Sequence, residues 1–125
     1  QEEPFDMCKL VVAAGGTYVA RASTYRPRVA INAIKKALSH SGFSFVEIIS
    51  QCPTYFGRRA IGSGQAVNGV KWIEEHSLTR KEASELSEEK LVDKFVLGTF
   101  VETTRPVYMG GSIFPSEEEE CRKIK

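Results

Sequence analysis

The sequence predicts an α/β fold in which parallel strands are flanked by helices, and three observations carry that prediction. Stretches with apolar residues at helical spacing alternate with short strand-like runs, in the order helix, strand, helix, strand. A helix between two strands implies a right-handed crossover and a parallel pair, the unit of α/β folds. The second strand-like run, Phe43 to Ile49, is rich in β-branched and aromatic residues and stops abruptly at Ser50-Gln51-Cys52-Pro53. Ligand sites in open α/β sheets lie just beyond the carboxyl ends of parallel strands, so Cys52 is expected on the functional edge.

The elements follow in order. Asp6 is positioned to cap a first helix in which Met7, Leu10, Val11 and Ala14 share one face, with Gly15-Gly16 as its stop. Cys8 lies beside that stripe and reads as a small apolar residue near the core. Thr17 to Ser23 reads as a strand. After a turn, Pro27 suits the first turn of a second helix whose core face carries Ala30, Ile31, Ile34, Ala37 and Leu38, and which stops at Gly42. Phe43 to Ile49 then reads as a buried strand, and Cys52 to Arg59 as a loop. Gly62-Ser63-Gly64 leads into a third helix with Ala66, Val67, Val70 and Ile73 toward the core. His40 and His76 fall at the ends of the second and third helices, where a partly charged imidazole suits the helix dipole.

Beyond Ser77 the character changes. Thr79-Arg80-Lys81-Glu82 has the capping-box pattern, and Ser87-Glu88-Glu89-Lys90 starts another short polar helix. Phe95 to Glu102 is strand-like, weakened by Gly98. Ser116 to Glu119 caps a last small helix, the Glu117–Glu120 run reads as a solvated face, and Cys121 is a tail thiol. Residues 1–76 thus form an α/β portion. Residues 77–125 form an arm with too few core positions to fold alone, expected to pack on a partner or on another part of the polypeptide.

Bulk composition sets further bounds. A chain of 125 residues, 42% hydrophobic and 26% charged, forms at most one domain and is large enough for a real core. A net charge of +1 provides no global field for nucleic acid or an anionic membrane. No apolar run approaches the roughly 18 residues a membrane span needs and no signal-peptide pattern opens the sequence, so a cytoplasmic location is expected. The sequence opens on Gln1 without an initiator methionine, which leads us to expect a fragment or a processed piece. The three cysteines, Cys8, Cys52 and Cys121, are widely spaced and odd in number. That argues against a disulfide framework and against a metal site closed by this chain alone.

From its residue type and setting, Cys52 has three readings: a structural thiol in a turn, a nucleophile, or a soft ligand to iron or an iron–sulfur cluster. No histidine is near it in sequence to serve as a base, and a cluster needs three ligands from elsewhere. Arg58 and Arg59, with the glycine-rich approach to the third helix, are candidate anion contacts, since guanidinium forks and helix N-termini both attract negative charge.

The runs Pro4-Phe5-Asp6, Ala13 to Arg21, Gly42 to Ile49 and above all Cys52-Pro53-Thr54-Tyr55-Phe56-Gly57-Arg58-Arg59 carry a resemblance. Together with Val70 to Ile73 and Phe95 to Tyr108, they are similar to the C-terminal part of the β subunit of 2-oxoacid:ferredoxin oxidoreductases, in the 2-oxoglutarate branch. The resemblance implies the C-terminal portion of a thiamine diphosphate-binding fold, followed by the arm. It also implies an intact enzyme that uses thiamine diphosphate with Mg²⁺ and a [4Fe-4S] cluster. That enzyme converts a 2-oxoacid and coenzyme A to acyl-CoA and passes electrons to ferredoxin. Cys52 matches the fourth cluster ligand, and Arg58 and Arg59 become candidates to balance cluster charge or meet an α-type subunit. Relatives often have proline before that cysteine, where Gln51 stands here. The family's upstream cysteines and its Gly-Asp-Gly segment, which binds Mg²⁺ and the diphosphate, are absent from this sequence. The resemblance therefore implies a piece inactive alone, with the rest of the β subunit as its first partner. The rival expectation is a standalone α/β interaction module that binds no cluster.

Overall fold

The structure, a computed structural model, describes residues 5–105. Cys121, the acidic run and the helix expected at Ser116 lie outside that range. The elements in order are α1 (Met7–Ala13), β1 (Tyr18–Ser23), α2 (Pro27–Ser39), β2 (Ser44–Ile49), a π-helix (Pro53–Ile61), α3 (Ala66–Glu75), β3 (Ser77–Thr79), α4 (Arg80–Ser84), α5 (Glu88–Leu91) and β4 (Phe95–Glu102). The strands form one sheet in the order β2-β1-β4-β3. The β1–β2 and β3–β4 pairs are parallel, while β1 and β4 run antiparallel. The expected α/β architecture and its parallel β1–β2 pair are therefore present in a mixed sheet.

Every residue of β1 is buried, because it lies between β2 and β4 with α1 and α2 packed against it. Its side chains alternate between the two faces. Tyr18 reaches α2, where its hydroxyl donates to the Ala33 carbonyl at 3.3 Å. Ala20 and Ala22 share that face, and the small residues Ala30, Ala33 and Ala37 turn toward it from α2. Register is set at the amino end. The Thr17 and Tyr18 amides both donate to the Phe43 carbonyl, and the Thr17 hydroxyl donates to it at 2.9 Å. Gly42, at φ +132°, turns the chain there, and a Cβ would collide with Thr17 Oγ1.

The opposite face of β1 holds a buried charge. Arg21 Nη2 binds Asp6 Oδ1 at 2.6 Å and Nε binds Glu47 Oε2 at 2.5 Å, while the guanidinium lies 5.4 Å from the centre of the Phe100 ring. Asp6 also caps α1, accepting from the Lys9 amide at 3.1 Å. One guanidinium thereby fastens α1 to β1 and β1 to β2. Cys8 completes the cluster, fully buried, with its thiol donating to Glu47 Oε2 at 3.3 Å.

Several expectations need correction. Phe43–Ile49 is not the buried strand expected: β2 is an edge strand of this sheet, half-buried along most of its length, and the strand buried throughout is β1. The predicted apolar faces of the helices are only partly used. In α2, Ala30 and Ala37 turn inward, but Ile31, Ile34 and Leu38 are exposed, Leu38 at 83%. In α1 the packed residue is Cys8, while Met7 and Leu10 are exposed, and in α3 Val67 faces outward. Hydrophobic spacing marks every apolar stripe but not which one faces the sheet. Gly98 does not interrupt β4. It pairs with Arg21 in a strand that carries a register shift opposite Val19 and Ala20. The segment after Ser77 packs on the preceding part of the chain, with β4 inserted between β1 and β3. Its capping box forms as expected, Thr79 and Glu82 bonding reciprocally. No helix among the described residues is long and apolar enough to cross a membrane.

Arg21→Met leaves the Asp6 and Glu47 carboxylates without their shared counter-ion. Their partial exposure, 30% for Asp6 and 24% for Glu47, tempers the loss. Urea denaturation of the variant should show a destabilisation of about 2–3 kcal/mol, below the usual cost of breaking a fully buried pair. Burial raises the Asp6 carboxyl, but the Lys9 amide and Arg21 outweigh it and hold Asp6 below its ordinary 3.8. The stability this contributes is complete above that value and is lost as pH falls through the lower folded-state value. Acid titration of stability should therefore show a component below pH 3.8 that Asp6→Asn removes.

Candidate functional site

The strand β2 delivers the chain to its carboxyl end at Ile49, and Ser50, Gln51 and Cys52 follow. The sequence suggests a loop here, and the structure has a nine-residue π-helix. Pro53 stands at its start with φ preset for a helix and no amide to satisfy. Cys52 is the N-cap, in extended conformation, and its carbonyl accepts from the Gly57 amide five residues on, at 2.7 Å. The helix closes at Gly62, in the left-handed region at φ +72°. Such π turns recur at functional sites, since the extra residue per turn re-aims neighbouring groups.

The Cys52 side chain is exposed at the start of this helix. Hydrogen bonds from the Phe56 and Tyr55 amides, with Thr54 Oγ1 3.7 Å from Sγ, lower the thiol from an ordinary value of 9.0 to about 7. Cys8 has the opposite environment. Burial pushes its thiol up to about 12, the Arg21 charge opposing only in part. The two free cysteines among the described residues thus divide cleanly into one acidified and accessible thiol and one inert thiol.

Beside Cys52 runs an open cleft of about 290 Å³, lined mainly by apolar side chains including Ile49, Ile61, Phe56, Trp72 and Phe95. Trp72 organises its wall. Phe56 meets it edge-on at 5.0 Å, Phe95 edge-on at 5.9 Å, and the His76 ring stacks on it at 4.0 Å. His76 is the C-cap of α3, with Nδ1 2.8 Å from the Trp72 carbonyl, in keeping with its expected helix-end role. His40 caps α2, but its Nε2 turns to Thr17 Oγ1 at 2.9 Å, so its side chain fixes the β1–β2 junction instead.

Arg58 and Arg59 lie in the last turn of the π-helix, exposed. Arg59 is held by Tyr55, with Nη1 donating to the phenol oxygen at 3.1 Å and the guanidinium 4.5 Å from the ring centre. Arg58 packs along Gly64, just before α3, whose cap residue Gln65 makes no side-chain cap bond. The Arg58 guanidinium therefore lies by the start of α3, while that of Arg59 stays on Tyr55. Among the described residues no group of three or more His, Cys, Asp or Glu side chains converges to hold a metal ion. Sequence reasoning missed the Asp6–Arg21–Glu47 cluster. Its signal was an arginine as the one charged residue of a strand, at its fourth position, with a glutamate at the fourth position of the next, the two being partners in register.

Treated with iodoacetamide in the native state, Cys52 should alkylate with a half-maximal rate near pH 7, the direction set by its lowered thiol value. Cys8 should stay unmodified until the protein is unfolded. Peptide mapping by mass spectrometry separates the two, and equal reactivity would overturn this assignment.

The chain is similar to 2-oxoglutarate synthase subunit KorB of Methanocaldococcus jannaschii, 41% identical over 108 residues that cover 86% of this chain and 40% of that subunit. It matches KorB of Methanothermobacter marburgensis at 41% identity over 123 residues, covering 98% of this chain and 42% of that subunit. It thus spans about two fifths of the length of the curated relatives it matches. No protein-family model matches the sequence. Among solved structures, the fold superposes on a chain of the 2-oxoglutarate:ferredoxin oxidoreductase from Magnetococcus marinus with a TM-score of 0.64. The match covers 99% of this chain and 46% of that one, at 22% identity. That enzyme was solved with 2-oxoglutarate, coenzyme A and succinyl-CoA bound. Similarity across nearly all of its length therefore sets this chain among the relatives of 2-oxoglutarate synthase subunit KorB.

Proposed function

We propose that the chain is part of the β-type subunit of a 2-oxoglutarate:ferredoxin oxidoreductase, and that Cys52 supplies one thiolate ligand to a [4Fe-4S] cluster. The observation that carries this reading is an exposed, acidified thiol just beyond the carboxyl end of β2, in a chain related to KorB along nearly its whole length.

The residues present fit one ligand of a cluster and not a whole site. Cys52 offers the soft sulfur that iron–sulfur centres require, with amide donors around it that favour the thiolate. Cys8 does not fit, being buried beneath the sheet and bonded to Glu47. With no third ligand group converging among the described residues, the remaining thiolates come from other parts of the polypeptide. When bound, such a cluster accepts and passes on single electrons. The chain's own share is to hold Cys52 in register at the end of β2 and to shield one side of it from water with Phe56 and Trp72. Arg58 and Arg59 carry positive charge beside the same turn, where they offset a thiolate-rich centre or meet an α-type subunit. The described residues do not fit the diphosphate of thiamine diphosphate or its Mg²⁺: no carboxylate cluster is present and the sequence has no Gly-Asp-Gly segment. We therefore assign 2-oxoacid, coenzyme A and thiamine binding to other parts of the assembly, with ferredoxin as electron acceptor and the isolated chain inactive. The two free thiols among the described residues suit the reducing cytoplasm.

The test is iron and acid-labile sulfide per β-type subunit in the anaerobically isolated complex, wild type against Cys52→Ser. A fall in both, with circular dichroism unchanged, is expected. Equal contents would return Cys52 to a structural thiol and favour an interaction module that binds no cluster.

A further inference from the structure

We propose that Gly57 and Gly69 are positioning residues for Cys52, two contact points without side chains that hold its turn from opposite sides. The proposal rests on the reading of Cys52 as a cluster ligand and concerns what fixes that ligand in place. Gly57 is buried inside the π-helix, with its amide on the Cys52 carbonyl at 2.7 Å and its carbonyl accepting from the Ser63 amide at 2.8 Å. It joins the first and last turns of the helix through backbone alone. A Cβ on Gly57 would stand 2.6 Å from the Ser63 carbonyl oxygen and 3.2 Å from that of Cys52. Both obstacles are backbone atoms, so relief requires the turn itself to open.

Gly69 acts from the other side. It is a buried residue of α3, and a Cβ there would stand 2.9 Å from Cβ of Gln51, the residue before Cys52. The helix packs against the chain at the one position where it has no side chain. Neither glycine has the positive φ found at Gly15, Gly42, Gly62 and Gly98. The backbone at both positions therefore accepts alanine, and space alone demands glycine. Crowding at either point displaces Cys52 relative to Thr54, whose hydroxyl oxygen lies 3.7 Å from its sulfur, and that contact changes with it. Hydrogen bonds to ligand sulfur are among the determinants of a cluster's reduction potential.

Gly62 provides the control. It ends the same π-helix at φ +72°, so alanine strains it, yet nothing lies within 4 Å of a Cβ there. Gly62→Ala weakens the element without pressing on Cys52. The experiment compares Gly57→Ala, Gly69→Ala and Gly62→Ala in the anaerobically isolated complex, reading the electron paramagnetic resonance spectrum and midpoint potential of the reduced cluster, with Cys52→Ser alongside. Expected is a shift in spectrum and potential for Gly57→Ala and a smaller one for Gly69→Ala, with Gly62→Ala matching wild type. If Gly57→Ala does not assemble, Gly69→Ala carries the test by itself. Wild-type spectra in both crowded variants, or an equal shift in Gly62→Ala, would overturn the positioning role. Loss of the cluster in Cys52→Ser alone would then leave the ligand assignment standing, whereas an unchanged Cys52→Ser would remove the ligand assignment itself.

Discussion

The structure depends on a single buried guanidinium. Arg21 sits at the middle of β1, the one strand buried along its whole length, and it binds a carboxylate from the start of α1 and another from β2. Placing charge in such a position is costly unless every partner is supplied, and here the two carboxylates come from two separate elements. The cluster therefore sets how the elements pack as much as it adds stability. The helix α1 contributes its cap residue, and β2 is held so that Glu47 meets Arg21 in register. The position of Cys52, five residues after Glu47, follows from that register.

Two surroundings then treat two cysteines differently. One is enclosed beneath the sheet beside a carboxylate, where ionisation is opposed by burial. The other is presented to solvent at the start of a π turn, where hydrogen bonds from the following backbone lower its thiol. Neither outcome depends on the cysteine itself. Backbone geometry after Pro53 and burial under α1 decide which sulfur is available for chemistry, and the apolar wall around Trp72 limits water on one side only.

Much of this was legible in the sequence, for identifiable reasons. Caps and breakers act locally, so Asp6, Pro27 and the Thr79–Glu82 box marked their helices correctly. The parallel β1–β2 pair followed from the helix between the strands, and the position of Cys52 from the proline after it. What stayed hidden was non-local. Nothing in Phe95–Glu102 announces that β4 inserts between β1 and β3, because strand order depends on pairings far apart in the chain. The π-helix was hidden because a proline, an aromatic pair and a glycine suit a loop equally well. The inward faces of α1 and α2 were only partly legible: Cys8, Ala30 and Ala37 do turn toward the sheet, whereas the larger Leu10, Ile31, Ile34 and Leu38 that share the apolar spacing face outward.

The outward-facing residues of α2 have a practical consequence. Ile31, Ile34 and Leu38 form a stripe on one side of the helix, and β2 leaves one edge of its backbone unpaired among the described residues. An open strand edge together with bare aliphatic surface is what drives polypeptides to associate with their own kind. Produced by itself at high concentration, the 125-residue chain will tend to clump and precipitate, and detergent or a charged substitution on that stripe becomes a condition for handling it.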